Sequence, residues 1–315
     1  MNIETKWLKD FVVLTQTRNF SKAADLRHVS QPAFSRRIKA LEEWFSSPLF
    51  DRSESPICLT DSGGKFLPIA EETLRRLYQC KDEISRENLN SVNIISFAAT
   101  HTLSSNFFPS WLNKVEETQG ILRTRLESDH MDKGKQSLIK GQCHFMLCHT
   151  HPKIDITLNQ HHYISVVVGK DRLIPVCAPG HNKLAAMQLP GTVDKPIKYL
   201  GYNTSSGVGK IVQQLLSSNR DTVYLDTVFE SYLVGVLKKM CSEGRGIAWL
   251  PEQQIVEELR NGKLVKAHNG SKKNEERWSI DIDIRLFRAR EALPENAEQL
   301  WHYALDNALD NALTC

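Results

Sequence analysis

No run of apolar residues in the 315-residue sequence is long enough to span a bilayer. Its opening, MNIETKWLKDF, starts polar and passes straight into an amphipathic segment, unlike a secretory leader. Cysteine is sparse and irregular: seven residues, at 58, 80, 143, 148, 177, 241 and 315, with no CxxC pair. An odd number at scattered spacings excludes a disulfide framework and points to reduced thiols in a cytoplasm. The strings of common catalytic centres are missing as well. There is no GxSxG, no P-loop, no HExxH and no GxGxxG between strand and helix, so neither an enzyme nor a cofactor is expected. Net charge is small, at +3.

That small charge is unevenly placed. From residue 18 to 39 the chain carries Arg18, Lys22, Arg27, Arg36, Arg37 and Lys39 against Asp25 alone, a local balance of +5 in a total of +3. The segment NFSKAADLRHVSQPAFSRRIKALE (19–42) reads as two short helices and a tight turn. Ser21 and Ser30 are the candidate N-caps, and Pro32 sits in the second helix's first turn. Phe34, Ile38, Leu41 and Phe45 recur at helical spacing and face a core, while Gln31, Ser35 and Lys39, with Arg36, form another face. Gln and Arg suit base edges, and Ser and Lys suit phosphate. The preceding helix (Glu4 to Thr17) turns Trp7, Phe11 and Leu14 to one side, with Phe20 adding cover.

These residues resemble the DNA-binding domain of LysR-type transcriptional regulators. The resemblance is carried by Ala23, Ala24, Leu26, Ser30, Gln31, Pro32, Ala33, Ser35, Ile38, Leu41 and Glu42, and it continues through Leu49, Phe50, Arg52, Leu59, Thr60 and Gly63. One departure is Phe45-Ser46, where the family usually has Leu-Gly. The resemblance implies an N-terminal winged helix–turn–helix (1–60), a linker and dimerisation helix (61–90) and an effector-sensing domain (91–315). The sensor would be a two-lobed α/β domain of type 2 periplasmic-binding-protein fold, with lobe I at 92–164 and 268–315 and lobe II at 165–267. DNA contacts are expected from Ser30, Gln31, Pro32, Ser35, Arg36, Arg37, Lys39 and, in the wing, Arg52. Either Arg36 or Arg37 could be the base reader.

Thr60 can cap the linker helix, in which Phe66, Ala70, Thr73, Leu77, Cys80 and Ile84 fall at heptad spacing and form an expected dimerisation seam. Expected partners are double-stranded DNA, a second copy or a tetramer, RNA polymerase and a small-molecule or oxidant effector, with no membrane. Beyond residue 92, strand-like runs at 92–100, 123–128, 144–148, 163–169, 172–178, 196–202, 222–226, 246–251 and 279–287 alternate with helical ones at 105–118, 132–141, 207–218, 231–242, 252–261 and 294–310. The run 166–181 is similar to the hairpin that opens the second lobe.

Ligands of such folds sit at strand ends and helix starts. Thr100, His101 and Thr102 on one lobe and Tyr202, Asn203 and Thr204 on the other are therefore the candidate effector residues. Cys143, His144, Cys148, His149 and His151 match no metal-site spacing and read as a strand, so no metal is expected. NIETKWLKDF, NFSKAA, PVCA (175–178) and GIAWLPE (246–252) further resemble the hypochlorite-responsive, HypT-like branch of the family. That resemblance implies oxidant sensing through sulfur. SSGVGK (205–210) places no methionine at the second helix start, leaving Met146, Cys148 and Cys177 as redox candidates. Two other readings stay open: a small polar or carboxylate co-inducer between the lobes, and a solute-binding or catalytic two-lobed protein with an accessory helical domain.

Overall fold

The computed structural model describes residues 3–53, 56–87, 94–156, 158–180, 185–203, 205–218, 223–268 and 272–313; for 79, 81–87, 272, 273 and 309–313 only the backbone is described. The chain forms two compact units, 1–92 and, apart from the turn at 139–142, 93–315.

In the first unit, α1 (Thr5–Thr17), α2 (Phe20–Leu26) and α3 (Gln31–Phe45) precede a two-stranded antiparallel wing, β1 (Phe50–Asp51) and β2 (Cys58–Leu59), and the long α4 (Asp61–Glu87). Trp7, Phe11, Leu14, Phe34, Ile38 and Leu41 form its core, with Phe20 edge-on to Phe34. The cap of α2 is Asn19, not Ser21: the helix starts earlier, and the Lys22 N–H donates to Asn19 Oδ1 at 3.0 Å. Ser30 does hold the N-cap position of α3, but its side chain caps nothing. Ser46 takes the left-handed conformation (φ 51°) that glycine usually supplies, while the Ser47 N–H reaches the Glu42 carbonyl and closes the helix end. The expected turn therefore forms without glycine, at a cost of about 1 kcal/mol.

Thr60 caps α4, its Oγ1 accepting from the Gly63 N–H at 3.1 Å. Gly63 is required by space, since a Cβ there would lie 2.1 Å from the Leu49 carbonyl oxygen. The expected seam on α4 needs correction. Phe66 and Ala70 are buried in the helix–turn–helix core, Phe66 packing on Phe11 and Phe45 with ring centroids 5.0 and 4.4 Å away. The exposed apolar stripe is instead Ile69, Thr73, Leu77 and Cys80, with Ile69 60% and Leu77 53% accessible. The side chain of Ile84 lies outside the described residues.

Glu71, on the same helix, has a buried Oε2 without a partner among the described residues, and burial pushes its carboxyl up to about 7. The folded state thus holds a proton that the unfolded chain releases above its ordinary value of 4.5. The stability this gives is complete below that value and is lost as pH rises through about 7. Glu71→Gln is expected to gain roughly 1–3 kcal/mol over the parent at alkaline pH and nothing in acid. Hydrogen-exchange protection of α4 measured against pH reads this directly; a pH-independent difference would refute it.

The second unit is built on a seven-stranded sheet in the order β10 (Val265–Lys266), β6 (Tyr163–Cys177), β11 (Ile280–Ala289), β5 (Phe145–Thr150), β3 (Ile95–Thr100) and β4 (Thr124–Asp129), with β9 (Ala248–Pro251) also on β6. β3 (Ile95–Thr100) pairs in parallel with β4 (Thr124–Asp129) and β5 (Phe145–Thr150). β3 and β5 are buried on both faces, as strands in the middle of a covered sheet are. α5 (His101–Ser105), α6 (Phe107–Gln119), α7 (Met131–Ile139) and α12 (Glu295–Leu313) complete this lobe. The second lobe holds β7 (Ile197–Gly201) parallel to β8 (Leu225–Glu230), β9 (Ala248–Pro251), β10 (Val265–Lys266), α8 (Gly207–Ser218), α9 (Val234–Ser242), α10 (Val256–Arg260) and α11 (Lys272–Trp278).

Two long strands join the lobes. β6 runs unbroken over Tyr163–Cys177, beside β11 (Ile280–Ala289), so the two strands expected at 163–169 and 172–178 are one, and no hairpin opens within that part of the run 166–181. Gly169 marks a close approach rather than a turn, since the Phe107 ring lies 2.7 Å from where its Cβ would be. Val166, Val168, Ile284 and Leu286 belong to the first lobe's core, whereas Leu173, Ile174, Trp278, Ile280 and Ile282 belong to the second's. The chain therefore changes lobe near Gly169–Asp171 and Ile282–Ile284, not at the expected 164/165 and 267/268. The alternation IDIDI in β11 turns its isoleucines inward on both sides of that crossing. Two expected helices are broken: 105–118 splits at Asn106, and 252–261 begins as a 3-10 turn, Glu252–Gln254. The polar α11 gave no periodic signal.

Candidate DNA-reading face and inter-lobe cleft

Asp10 organises the reading head. Its carboxylate is fully buried on α1, accepts from Arg27 Nε at 2.6 Å and pairs with Arg37 Nη1 at 3.2 Å. A buried carboxylate needs such partners, and here they tie α1 to the end of α2 and to α3. Arg37 is thereby turned toward α1, while Arg36 stands exposed. Ser30, Gln31, Pro32 and Lys39 are exposed with it, and Ser35 is half-buried. Of the two arginines the sequence left open, Arg36 is the one on the outer face. The signal for Asp10 was there to read: one acid on the apolar side of α1, facing a basic helix.

Arg52 is not a free wing cation. Its guanidinium bonds Glu42 Oε2 at 2.6 Å and lies 5.3 Å from the Phe20 ring centre. The other Glu42 oxygen accepts the Leu49 and Phe50 N–H groups at 3.0 and 3.2 Å. One carboxylate thus fastens the wing to α3, which gives Glu42, Leu49, Phe50 and Arg52 a shared structural role. About half of the Arg52 side chain remains exposed.

In the second unit, the ends of the parallel strands β3 and β4 meet the start of α8 in a narrow cleft of about 30 Å³, room for one or two water-sized groups. Thr100, His101 and Thr102 line it as expected, facing Ser206, Gly207 and Val208. Thr100 Oγ1 is buried without a partner among the described residues. Tyr202 does not line it; its hydroxyl donates to the Trp249 carbonyl at 2.8 Å, inside the second lobe's core. Asn203 also does not, since its side chain accepts from the Ser205 hydroxyl at 2.7 Å. Thr204 lies outside the described residues. The lining residues that sequence reasoning missed are Asp129, His130, Met131, Tyr232 and Val234. Strand order was the missing information: β4 ends beside β3 only because the two pair in parallel.

The lobes are latched around this cleft. Gln254 Nε2 donates to the Thr102 carbonyl at 3.0 Å, and Lys210 of α8 sits 3.5 Å from Asp132 of α7. The Tyr232 ring closes over His101 and His130, with centroids 5.9 and 6.4 Å away. His101 Nδ1 and the Ser128 hydroxyl are 2.8 Å apart.

The sulfurs expected to sense oxidant are elsewhere. Met146, Cys148 and Cys177 are at most 1% exposed. Burial pushes the Cys148 thiol up to about 12 and raises that of Cys177, which removes thiolate reactivity. Met131 is also buried, at 3% exposure, but unlike those three it lines the cleft, and a Cβ on Gly207 would lie 2.7 Å from its sulfur. Among the described residues no group of three or more His, Cys, Asp or Glu could hold a metal, and no helix is long and apolar enough to cross a membrane.

Known proteins match both units. Residues 5–64 fit the family described as bacterial regulatory helix-turn-helix protein, lysR family, and residues 92–308 fit the LysR substrate binding domain. The Escherichia coli K12 HTH-type transcriptional regulator YjiE is 32% identical over 95% of this chain and 93% of its own. Full-length HypT from Salmonella typhimurium, described as a hypochlorite-specific LysR-type transcriptional regulator, is 31% identical, covering 96% of this chain and 98% of HypT, with a TM-score of 0.57. Vibrio fischeri DarR, solved in complex with DNA, is 30% identical over 96% of this chain and 99% of its own, with the same TM-score of 0.57. A helix–turn–helix with an exposed basic face, followed by a latched two-lobed domain, and both halves matching one family, make this chain a DNA-binding transcriptional regulator that belongs to the LysR family.

Proposed function

We propose that α3 enters the major groove with Gln31 and Arg36 at base edges and Ser30, Ser35 and Lys39 at phosphate, and that a small oxidant reaching Met131 is the signal. The outward placement of Arg36, with Arg37 held back by Asp10, carries the first half of this reading. Two copies would join along Ile69, Thr73, Leu77 and Cys80 of α4, each presenting α3 to one half of a loosely palindromic site. Such a protein acts where the DNA is, in the cytoplasm. Arg52 contributes by holding the wing, and through its exposed half it can meet flanking backbone.

The cleft supports the second half. Its volume of about 30 Å³ suits a molecule the size of hypochlorous acid and is far below that of ordinary organic co-inducer sites. Hypochlorous acid converts the Met131 thioether to a sulfoxide: sulfur gains oxygen and loses two electrons, and chloride and a proton leave. The polar sulfoxide would sit against Gly207, between α7 and α8, where the Lys210–Asp132 latch is anchored. A change of lobe angle would then re-space the paired readers. The competing signal is a very small polar ligand held by Thr100, whose hydroxyl lacks a partner among the described residues.

Titration of duplex DNA from the chain's own upstream region, before and after mild hypochlorite, tests both. Parent protein is expected to change its footprint and to recover with methionine sulfoxide reductase. Met131→Leu should bind DNA normally and lose the change, whereas substitutions at Met146, Cys148 and Cys177 should retain it. An unaltered response in Met131→Leu would remove Met131 as the sensor, and a parent protein indifferent to hypochlorite would sink the oxidant reading and leave the Thr100 ligand.

A further inference from the structure

A cavity much larger than the cleft stands apart from it. It lies between α6, α12 and the hinge end of β6 and measures about 450 Å³, against about 30 Å³ for the cleft. That volume is within the range of sites for small organic molecules. Phe107, Trp111 and Tyr303 form its apolar wall, with Ala304 and Ala308 leaving the space that larger residues would fill. Beside the α6 rings, Asn106, Ser110 and Lys114 recur every four residues and make an exposed polar ridge along the same helix. Lys114 is the one charged side chain lining the cavity among the described residues, and its amine has no acidic partner among them.

We propose that this cavity is a second ligand site, separate from the inter-lobe cleft, for a cyclic or aromatic carboxylate. Ring faces match the aromatic wall, and the carboxylate meets Lys114 with Ser110 and Asn106 as further donors. Neutral planar compounds lose the ion pair, and cations meet the uncompensated Lys114.

The site also borders the hinge. Val168 and Gly169 line it immediately before β6 changes lobe. Gln253, another lining residue, donates its side-chain N–H to the Lys170 carbonyl at 2.7 Å and its backbone N–H to Asp171 Oδ1 at 3.2 Å. A ligand packed between α6 and Gln253 therefore bears on the residues that set the lobe angle, so such a metabolite would modulate the regulator independently of any cleft signal.

The test is calorimetry on the full chain with benzoate and its neutral isostere benzamide, alongside hydrogen exchange of 168–171. Benzoate is expected to bind in the region of ~1 mM or tighter, at least about tenfold more tightly than benzamide, and to slow exchange at 168–171. Lys114→Gln should abolish the preference for benzoate over benzamide, and Ser110→Trp should block both compounds. Thr100→Val, in the cleft, should change neither. Absence of saturable benzoate binding, undiminished binding in Ser110→Trp, an unchanged benzoate preference in Lys114→Gln, or loss of binding in Thr100→Val would each overturn the proposal. None of these results bears on DNA binding, which is measured separately.

Discussion

Replacing Arg27 and Arg37 together by alanine is expected to destabilise the helix–turn–helix by about 3–5 kcal/mol, more than removing Asp10 itself. The two experiments break the same contacts but leave different residues behind. Without the arginines, a fully buried carboxylate remains at the centre of α1, α2 and α3 with its desolvation uncompensated. Without Asp10, two guanidiniums about one-quarter exposed can turn to water, so Asp10→Ala should cost roughly 1–3 kcal/mol. Each single arginine variant keeps one partner and should fall below the double variant. Hydrogen exchange across α1 to α3 gives the ranking. Should Asp10→Ala prove the most damaging, the carboxylate is not what organises the head, and the apolar core around Phe34 alone would have to hold α3 in place.

That clamp shows what the sequence makes legible. The stripe Phe34, Ile38, Leu41 and the alternation IDIDI in β11 declare buried faces through period alone, and the structure buries them. Pairings between distant residues leave no period. Asp10 with Arg37, or Glu42 with Arg52, can be suspected from an acid set beside apolar residues, but the partner is fixed only by packing. The break expected between strands 163–169 and 172–178 falls at Gly169, and a glycine that makes room for the Phe107 ring looks the same in sequence as one that makes a turn. The seam on α4 was displaced for a related reason: Phe66 and Ala70 satisfy a heptad yet also satisfy the aromatic cluster of their own domain. At the cleft, the Thr100–Thr102 side followed from a strand end, while Met131 and Tyr232 came from elements whose neighbours only the sheet order defines.

Arg36→Ala is expected to lose about 1–3 kcal/mol of discrimination between specific and scrambled duplex, with the fold intact. Arg36 is exposed one turn past Pro32, and on the proposed docking its truncation removes a base contact. Lys39→Ala should behave differently. Its weak exposed pairing with Glu43, at 3.7 Å, leaves the amine free to meet phosphate. Affinity should then fall evenly for both duplexes, and the slope of log K against log salt should lessen by about 1. Arg37→Ala should also weaken both duplexes evenly, but with loosened exchange protection in α1 and α3, because it acts through Asp10. Titrating the three variants on both duplexes at several salt concentrations, with exchange measured in parallel, separates reader, phosphate contact and clamp. A purely uniform loss in Arg36→Ala would move that residue to the phosphate class and leave Gln31 as the base reader on this face.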